Sequence, residues 1–405
     1  MSEAEMDPSS SSVLATWPGA VLDKGGAGDP THAKAPTPSV AVPLHHGDPA
    51  GEQWALEAGR GLVDRSDLGI VRVDGPDRQR WLTSLTSQVI EGMGPADSRE
   101  LLILDPQGHV EHAAAVVDDG ASTWLVTEGF AAPALAAWLD SMRFMLRVEV
   151  AVDESMVVLG TVGAASLEGV VGAAGHASTW ADPWPGVVPG GTEYHQGPHP
   201  AAGVEVFLHL VHRDSARALA EAWLGGADKR RFAGLLAWEA IRIACWRPRL
   251  GYEVDSRTVP AEVDWLRTAV HTHKGCYRGQ ESVARILNLG RPPRRLVMLQ
   301  LDGSRGDLPE VGAAIERSGR RIGTLTSVAR HADMGPIALA LLARNVPGDL
   351  VLDLGGIAAA QELIIPIDGR AAASPAERPG AELREGALRR PDVRAFGGAS
   401  GMGAR

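Results

Sequence analysis

The residues with the most evident chemical capacity stand together at 274–281, Lys-Gly-Cys-Tyr-Arg-Gly-Gln-Glu. One of only two cysteines in 405 residues lies there, between two glycines and two cations. The thiolate is the reactive form of cysteine, and flanking Lys274 and Arg278 favour it over the thiol. The segment that follows, ESVARIL, puts Val283, Ile286 and Leu287 on one helical face, so a helix directs its positive end back at the loop and adds to the same effect. Gly275 and Gly279 permit backbone conformations closed to other residues, or close approach of a ligand. Tyr277 and Gln280 complete the loop, and Glu281 opposes the cations, being placed to pair with Arg278 or to cap the helix. From these residues alone Cys276 is either an activated thiol or a small side chain packed in a tight turn, as free cysteine often is.

Other chemistries find less support. His271, His273 and Cys276 form H-x-H-x-x-C and offer three metal ligands, but no Cys-x-x-Cys supplies a fourth, so no stable metal site is expected. There is no G-x-S-x-G, no P-loop and no strand–GxGxxG–helix unit. A formal charge of −11 argues against broad nucleic-acid binding, with RPPRR (Arg291, Arg294, Arg295) as a local exception beside Lys274 and Arg278. Two cysteines cannot build a disulfide framework, and no apolar run is long enough to span a membrane, so a cytoplasmic protein with no membrane partner is expected.

These residues need elements to position them. Residues 1–48 are rich in Ser, Pro, Gly and Ala without hydrophobic periodicity and read as a disordered leader, and 370–405 has the same character. Between them GIVRVDG (69–75) reads as a strand, and Pro76 opens a helix with Trp81, Leu82, Leu85 and Val89 on one face. LLILDPQGHV (101–110) is a hairpin with Asp105–Gly108 at its turn, and AAAVV-DDG-STWLVTEG is another. A helix is expected over 131–142 and strands around VEVAV and MVVLGTVG. The segment 171–200 is crowded with Gly and Pro and reads as an irregular connection. EVFLHLVH (205–212) is a strand, Asp214 or Ser215 caps a helix through Leu224, and a second helix runs about 233–246. The class is α+β, mostly antiparallel. Beyond Pro292–Pro293, short strands with turn punctuation predict an all-β module.

KGCYRGQE followed by VARILNLGRPPRRLV resembles the signature of the YgfZ proteins, folate-binding-type relatives of the glycine-cleavage aminomethyltransferase (T-protein, GcvT); every position of K-G-C-Y-x-G-Q-E is satisfied. VDRSDLGIVRVDGPDRQRWL (63–82) resembles that family's N-terminal segment, RTVPAEVDWL (257–266) the stretch before the signature, and RRIGTLTSVA with GPIALALL the C-terminal barrel. The resemblance covers about 50–365. It implies a cloverleaf-like α+β fold of antiparallel sheets with flanking helices: a folate-binding-type region at 49–291 in two subdomains (about 49–155 and 156–291), then a β-barrel domain at 292–369. These parts surround a central channel, the place where T-protein holds tetrahydrofolate. It implies tetrahydrofolate or a related folate as ligand, with Arg242, Trp246 and Trp265 as candidate contacts. The implied role is iron–sulfur cluster assembly or repair, acting through Cys276, with [4Fe–4S] client proteins or assembly factors as partners. Those clients include enzymes that modify tRNA, so tRNA is involved only indirectly. One thiol cannot hold a cubane cluster, which takes about four cysteine ligands, so any iron–sulfur ligation would be transient and shared.

Two departures stand out. T-protein-like sequences end this motif in G-R-E and place a catalytic aspartate pair in the region of GHVEHAA (108–114), where this chain has Glu111 and His112 and no aspartate. Many relatives carry R-x-E-A-G-x-P, whose glutamate is expected to grip the pterin, and this chain has Ala244, Cys245 and Trp246 there. The alternatives to an accessory protein are a tetrahydrofolate-dependent aminomethyltransferase or other one-carbon transferase, which the missing aspartate disfavours, and a direct tRNA-binding protein acting through Arg291, Arg294 and Arg295.

Overall fold

In the strand Val110–Asp118 side chains divide by parity from Ala113 on: Ala113 and Val117 join one apolar cluster, while Ala114 and Val116 join another. A strand apolar on both faces belongs in the middle of a layered structure. The computed structural model describes residues 12–22, 40–227 and 229–376 and bears this out. Three sheets carry the fold. The first is antiparallel, in the order Ser98–Leu104, Val110–Asp118, Ser122–Glu128, Leu68–Asp74, Glu149–Val152. Helices Arg78–Leu85 and Ala132–Ser141 cover its outer face through Trp81, Leu82, Leu135 and Leu139. The second sheet runs His176–Ala181, Val206–His212, Met156–Val162, Gly61–Asp64, Arg231–Ala233, and only its last pair is parallel. Helix Arg213–Gly225 packs Ala216, Leu219, Ala220 and Trp223 on one side of it.

The third sheet is six-stranded, antiparallel and nearly closed into a barrel. Its strand Arg294–Leu301 again sorts by parity, with Val297, Leu299 and Leu301 inside the barrel while Leu296 and Met298 face the rest of the protein. The central cluster therefore draws on all three sheets: Leu102 and Leu104 from the first, Val158, Trp180 and Leu208 from the second, Leu296, Met298 and Leu339 from the third. The helix Leu235–Ala244, apolar nearly all round, lies in that centre. The α+β class with its C-terminal barrel is as the sequence implied.

Several boundaries differ from expectation. Residues 12–22 and 40–48, expected within a disordered leader, are built into the fold. Leu14 is fully buried among Leu62, Val157 and Trp223. Ser12 Oγ and the Leu14 amide donate to Asp64 at 2.6 and 2.8 Å, and Val21–Leu22 pairs with Pro43–His45. A composition average hides two or three anchoring side chains. The rest of that leader, 1–11 and 23–39, lies outside the described residues, as does 377–405 of the tail; Ala371, by contrast, is buried. The stretch 171–200 contains the strand His176–Ala181, and strand Gly61–Asp64, expected in the first subdomain, belongs to the second sheet.

Candidate functional site

The signature loop is clamped at both ends. Its approach runs alongside residues 83–88: the His271 amide donates to the Ser87 carbonyl at 2.9 Å, Ser87 Oγ to the Ala269 carbonyl at 2.5 Å, and Gln88 Nε2 to the Thr268 carbonyl at 3.0 Å. Lys274 then reaches into the end of the helix Arg78–Leu85, where Nζ donates to the carbonyls of Thr83 and Thr86 and, at 3.3 Å, of Gln88. The first two are carbonyls that the helix end leaves without intrahelical partners, and a cation is favoured there. Burial pushes the Lys274 ammonium down to about 8, and Nζ lies 5.1 Å from the centroid of the buried Tyr277 ring.

The other end is fixed by Gly279, in the left-handed region at φ +81°, which abuts the hairpin turn of the first sheet. That turn is tight: the His109 amide and Nδ1 both engage the Asp105 carboxylate at 2.8 Å. A Cβ on Gly279 would stand 2.6 Å from the Asp105 carbonyl oxygen, and one on Gly108 would stand 2.7 Å from Ser282 Cβ. Gly279 is the N-cap of the helix Gln280–Leu289, which buries Val283 and Leu287. Between the clamps Gly275 and Cys276 are exposed.

The flanking cations therefore do not serve the thiol as expected. Lys274 is held by carbonyls, and Arg278 Nη1 pairs with Glu111 Oε2 at 2.7 Å. Glu281, expected to pair with Arg278 or cap the helix, is exposed in the first helical turn. Glu111 is available because the strand pairing slips there: Leu104 opposes Val110 and Ile103 opposes His112, which leaves Glu111 as an extra, bulged residue. Of the metal triad, His271 and His273 stack edge to face with centroids 6.5 Å apart. Among the described residues no group of three or more His, Cys, Asp or Glu is placed to hold a metal ion.

A cavity of about 150 Å³ lies further along the same strand, whose Ala113, Ala114 and Ala115 form part of its wall. Val126–Glu128 of the first sheet, Trp180 and Leu208 of the second and Trp238 of the central helix complete it. The three folate candidates do not converge on it. Trp265 lines it, and its Nε1 is buried without a partner among the described residues. Arg242 lines it with every donor engaged: Nε and Nη2 on Glu239, Nη1 on Glu253 and the Arg247 carbonyl, Nη2 also on Ser327 Oγ. Arg242 thus ties the central helix to the barrel. Trp246 faces a different cavity of about 320 Å³ beside the barrel, where its Nε1 donates to Met298 Sδ at 3.1 Å. Ala244 lines that second cavity too, so the acid missing at 244 is not missing from the first.

The first cavity has acids of its own, from places the sequence did not advertise. Glu100 and Asp182 line it, and both hold Arg247, at 2.6 and 3.0 Å. Burial and neighbouring Glu100 push the Asp182 carboxyl up, against the pull of Arg247. Below them Arg249, buried, gathers Glu128, Glu239 and Asp67. The one local hint was WADPW (180–184), an acid between two tryptophans within the stretch read as irregular. Buried Cys245 lines both cavities, and burial pushes its thiol up to about 12.

The RPPRR run is mostly consumed within the fold. Arg294 pairs with Asp255 at 2.8 Å and Glu262 at 2.9 Å, and Arg295 is 1% exposed with Nη2 on the Val346 carbonyl. Only Arg291 of the three is exposed, which removes the basic patch expected of a direct tRNA binder.

Comparison with known proteins agrees with this architecture. No protein-family model matches the chain. It is 26% identical over 328 residues to an aminomethyltransferase of Streptomyces avermitilis, covering 76% of this chain and 85% of that one. It is likewise 26% identical over 321 residues to the tRNA-modifying protein YgfZ of Serratia proteamaculans, covering 76% and 91%. Among solved structures, aminomethyltransferase T of the glycine cleavage system from Bartonella henselae superposes with a TM-score of 0.67 at 20% identity, over 88% of this chain and 97% of that one. The chain is thus similar over most of its length to proteins that carry the YgfZ name and to an aminomethyltransferase, and it shares its fold with an aminomethyltransferase of the glycine cleavage system.

Proposed function

We propose that the protein is a folate-binding accessory factor that supports the assembly or repair of iron–sulfur clusters, with Cys276 as its working thiol. The observation that carries this reading is the clamped loop. Lys274 on one side and the Gly279 turn with the Arg278–Glu111 pair on the other hold the backbone, while Cys276 stays exposed. A thiol so presented can engage a partner protein's metal or sulfur without the loop rearranging, which lowers the ordering cost of the encounter.

Its relatives' names supply the context: several are tRNA-modifying proteins, and others are aminomethyltransferases, which use tetrahydrofolate. The first cavity fits a folate ring system. Trp180, Trp238 and Trp265 give it flat apolar walls, and the unpartnered Trp265 Nε1 offers a donor. When bound, a folate would supply a ring nitrogen able to carry a one-carbon unit. Transfer of an aminomethyl group is not the reading favoured, since Glu111, the carboxylate in the region of the missing aspartate pair, is half exposed and tied to Arg278. Client [4Fe–4S] enzymes, including those that modify tRNA, are the partners this role requires.

The test is a cell that lacks this protein, complemented with wild type or Cys276→Ser and grown under oxidative stress. The activity of a [4Fe–4S] tRNA-modifying enzyme should be restored by wild type and not by the variant. Equal restoration by both would remove Cys276 from the mechanism.

A further inference from the structure

Resting on the reading of the first cavity as a folate pocket, we infer that Glu100, Asp182, Arg247 and Trp265 form one recognition edge for a 2-amino-4-oxo pteridine, with the carboxylates facing the amino side and the unpartnered donors facing the oxo group. Arg247 follows the central helix and is immobilised on three sides. Its Nε donates to Asp182 at 3.0 Å, its Nη2 donates to Glu100 at 2.6 Å, and its face lies over Trp184 with 5.0 Å to the centroid. Its Nη1 is nonetheless buried without a partner among the described residues. Trp265, 3% exposed and lining the same cavity, has an Nε1 in the same condition. A buried donor without an acceptor is costly, and two on residues that line one small cavity are best accounted for by a ligand that brings acceptors.

The carboxylates make the complementary demand. Two of them share one guanidinium, so the cluster carries surplus negative charge. Each oxygen accepts one bond within the protein: Glu100 from Arg247 and Thr268, Asp182 from Arg247 and the Trp184 amide. A carboxylate oxygen has room for a second, so N–H groups of a ligand are matched here. A ring edge with adjacent donors and an acceptor, flat enough to lie among tryptophans, is what a 2-amino-4-oxo pteridine presents. On this reading the acid absent at position 244 is supplied from Glu100 and Asp182, on another wall.

The experiment compares tetrahydrofolate with its 4-amino analogue, in which the C4 oxo acceptor becomes an amino donor and N3 loses its proton, by anaerobic calorimetric titration of the full chain. The variants are Trp265→Phe, which keeps the aromatic wall and removes the N–H, and Glu100→Gln, which keeps the shape and removes the charge. Trp265→Phe should weaken tetrahydrofolate on the order of tenfold while leaving the 4-amino compound unchanged, because only the oxo form presents an acceptor at C4 to the indole. Glu100→Gln should weaken both. If Trp265→Phe shifts both ligands equally, the edge is wrong while the pocket stands. If Glu100→Gln changes neither, the edge is likewise overturned. Binding of neither compound to wild type would overturn the edge and the folate reading together, leaving the role of Cys276 to its own test.

Discussion

Replacing Gly279 by alanine is expected to destabilise the protein by about 2–5 kcal/mol, whereas the same change at Gly275 should not destabilise it. The two glycines stand in one signature and face opposite conditions. Gly279 has φ +81°, and a Cβ there would meet the Asp105 carbonyl oxygen at 2.6 Å and Gly108 Cα and Leu104 Cβ at 3.0 Å. An L-residue in the left-handed region costs about 1–2 kcal/mol. Overpacking against backbone, which cannot rotate away, adds about 1–3 kcal/mol. Gly275 has nothing within 4 Å and no positive φ. Alanine there only narrows the unfolded ensemble, which is worth about 0.4–1 kcal/mol in favour of folding. Equilibrium urea denaturation of the two variants beside wild type decides the matter, with Cys276 labelling rates as a local readout. Gly279→Ala should lower the midpoint and change the labelling rate, because the turn and the helix start must part. A Gly279→Ala protein within about 0.5 kcal/mol of wild type would show that the turn does not clamp the loop, and the account of Cys276 presentation would fall with it.

Two further outcomes follow from groups outside the loop. Burial pushes the Asp264 carboxyl up to about 7 from an ordinary 3.8, with Arg267 pulling the other way. The folded state therefore holds this proton more tightly than the unfolded chain, and its contribution, complete below about pH 4, is lost as pH rises through about 7. Asp264→Asn, whose side chain also tolerates the observed φ of +57°, should flatten that part of the stability–pH profile; an unchanged slope in pH-dependent denaturation would refute the assignment. Leu14→Ala should cost about 2–5 kcal/mol in urea denaturation, as for a core leucine, although it lies in a stretch whose composition reads as disordered. A cost under about 0.5 kcal/mol would mean that residues 12–22 do not belong to the core.

The signature loop, its two glycines and the amphipathic helix after it were legible because their signals are local: glycines that permit unusual backbone, a 3.6-residue apolar period and a cysteine among cations all lie within some fifteen residues. The sheets were legible for the same reason, since alternation by parity is written along each strand. What those cations do was not legible. Lys274 goes to carbonyls as many as 191 positions away, and Arg278 goes to Glu111, 167 away, at a bulge created by a register slip between two other strands. Charge in a sequence states only that a partner is needed. Which partner is settled by packing, because a buried cation takes the acceptors that the fold brings within reach. The cavity repeats the lesson. Position 244 was read as a lost acid in a folate site, yet the fold turns it toward the barrel and brings Glu100 to Arg247 across 147 residues. The sequence by itself determined the α+β layers, the barrel and the place of the cysteine loop before a helix, through periodicities and turns that act over a few residues; that the thiol is exposed came from the structure. Only the tertiary structure decided which charges hold that loop and which acids face the cavity, because those pairings are fixed by three sheets closing on one core.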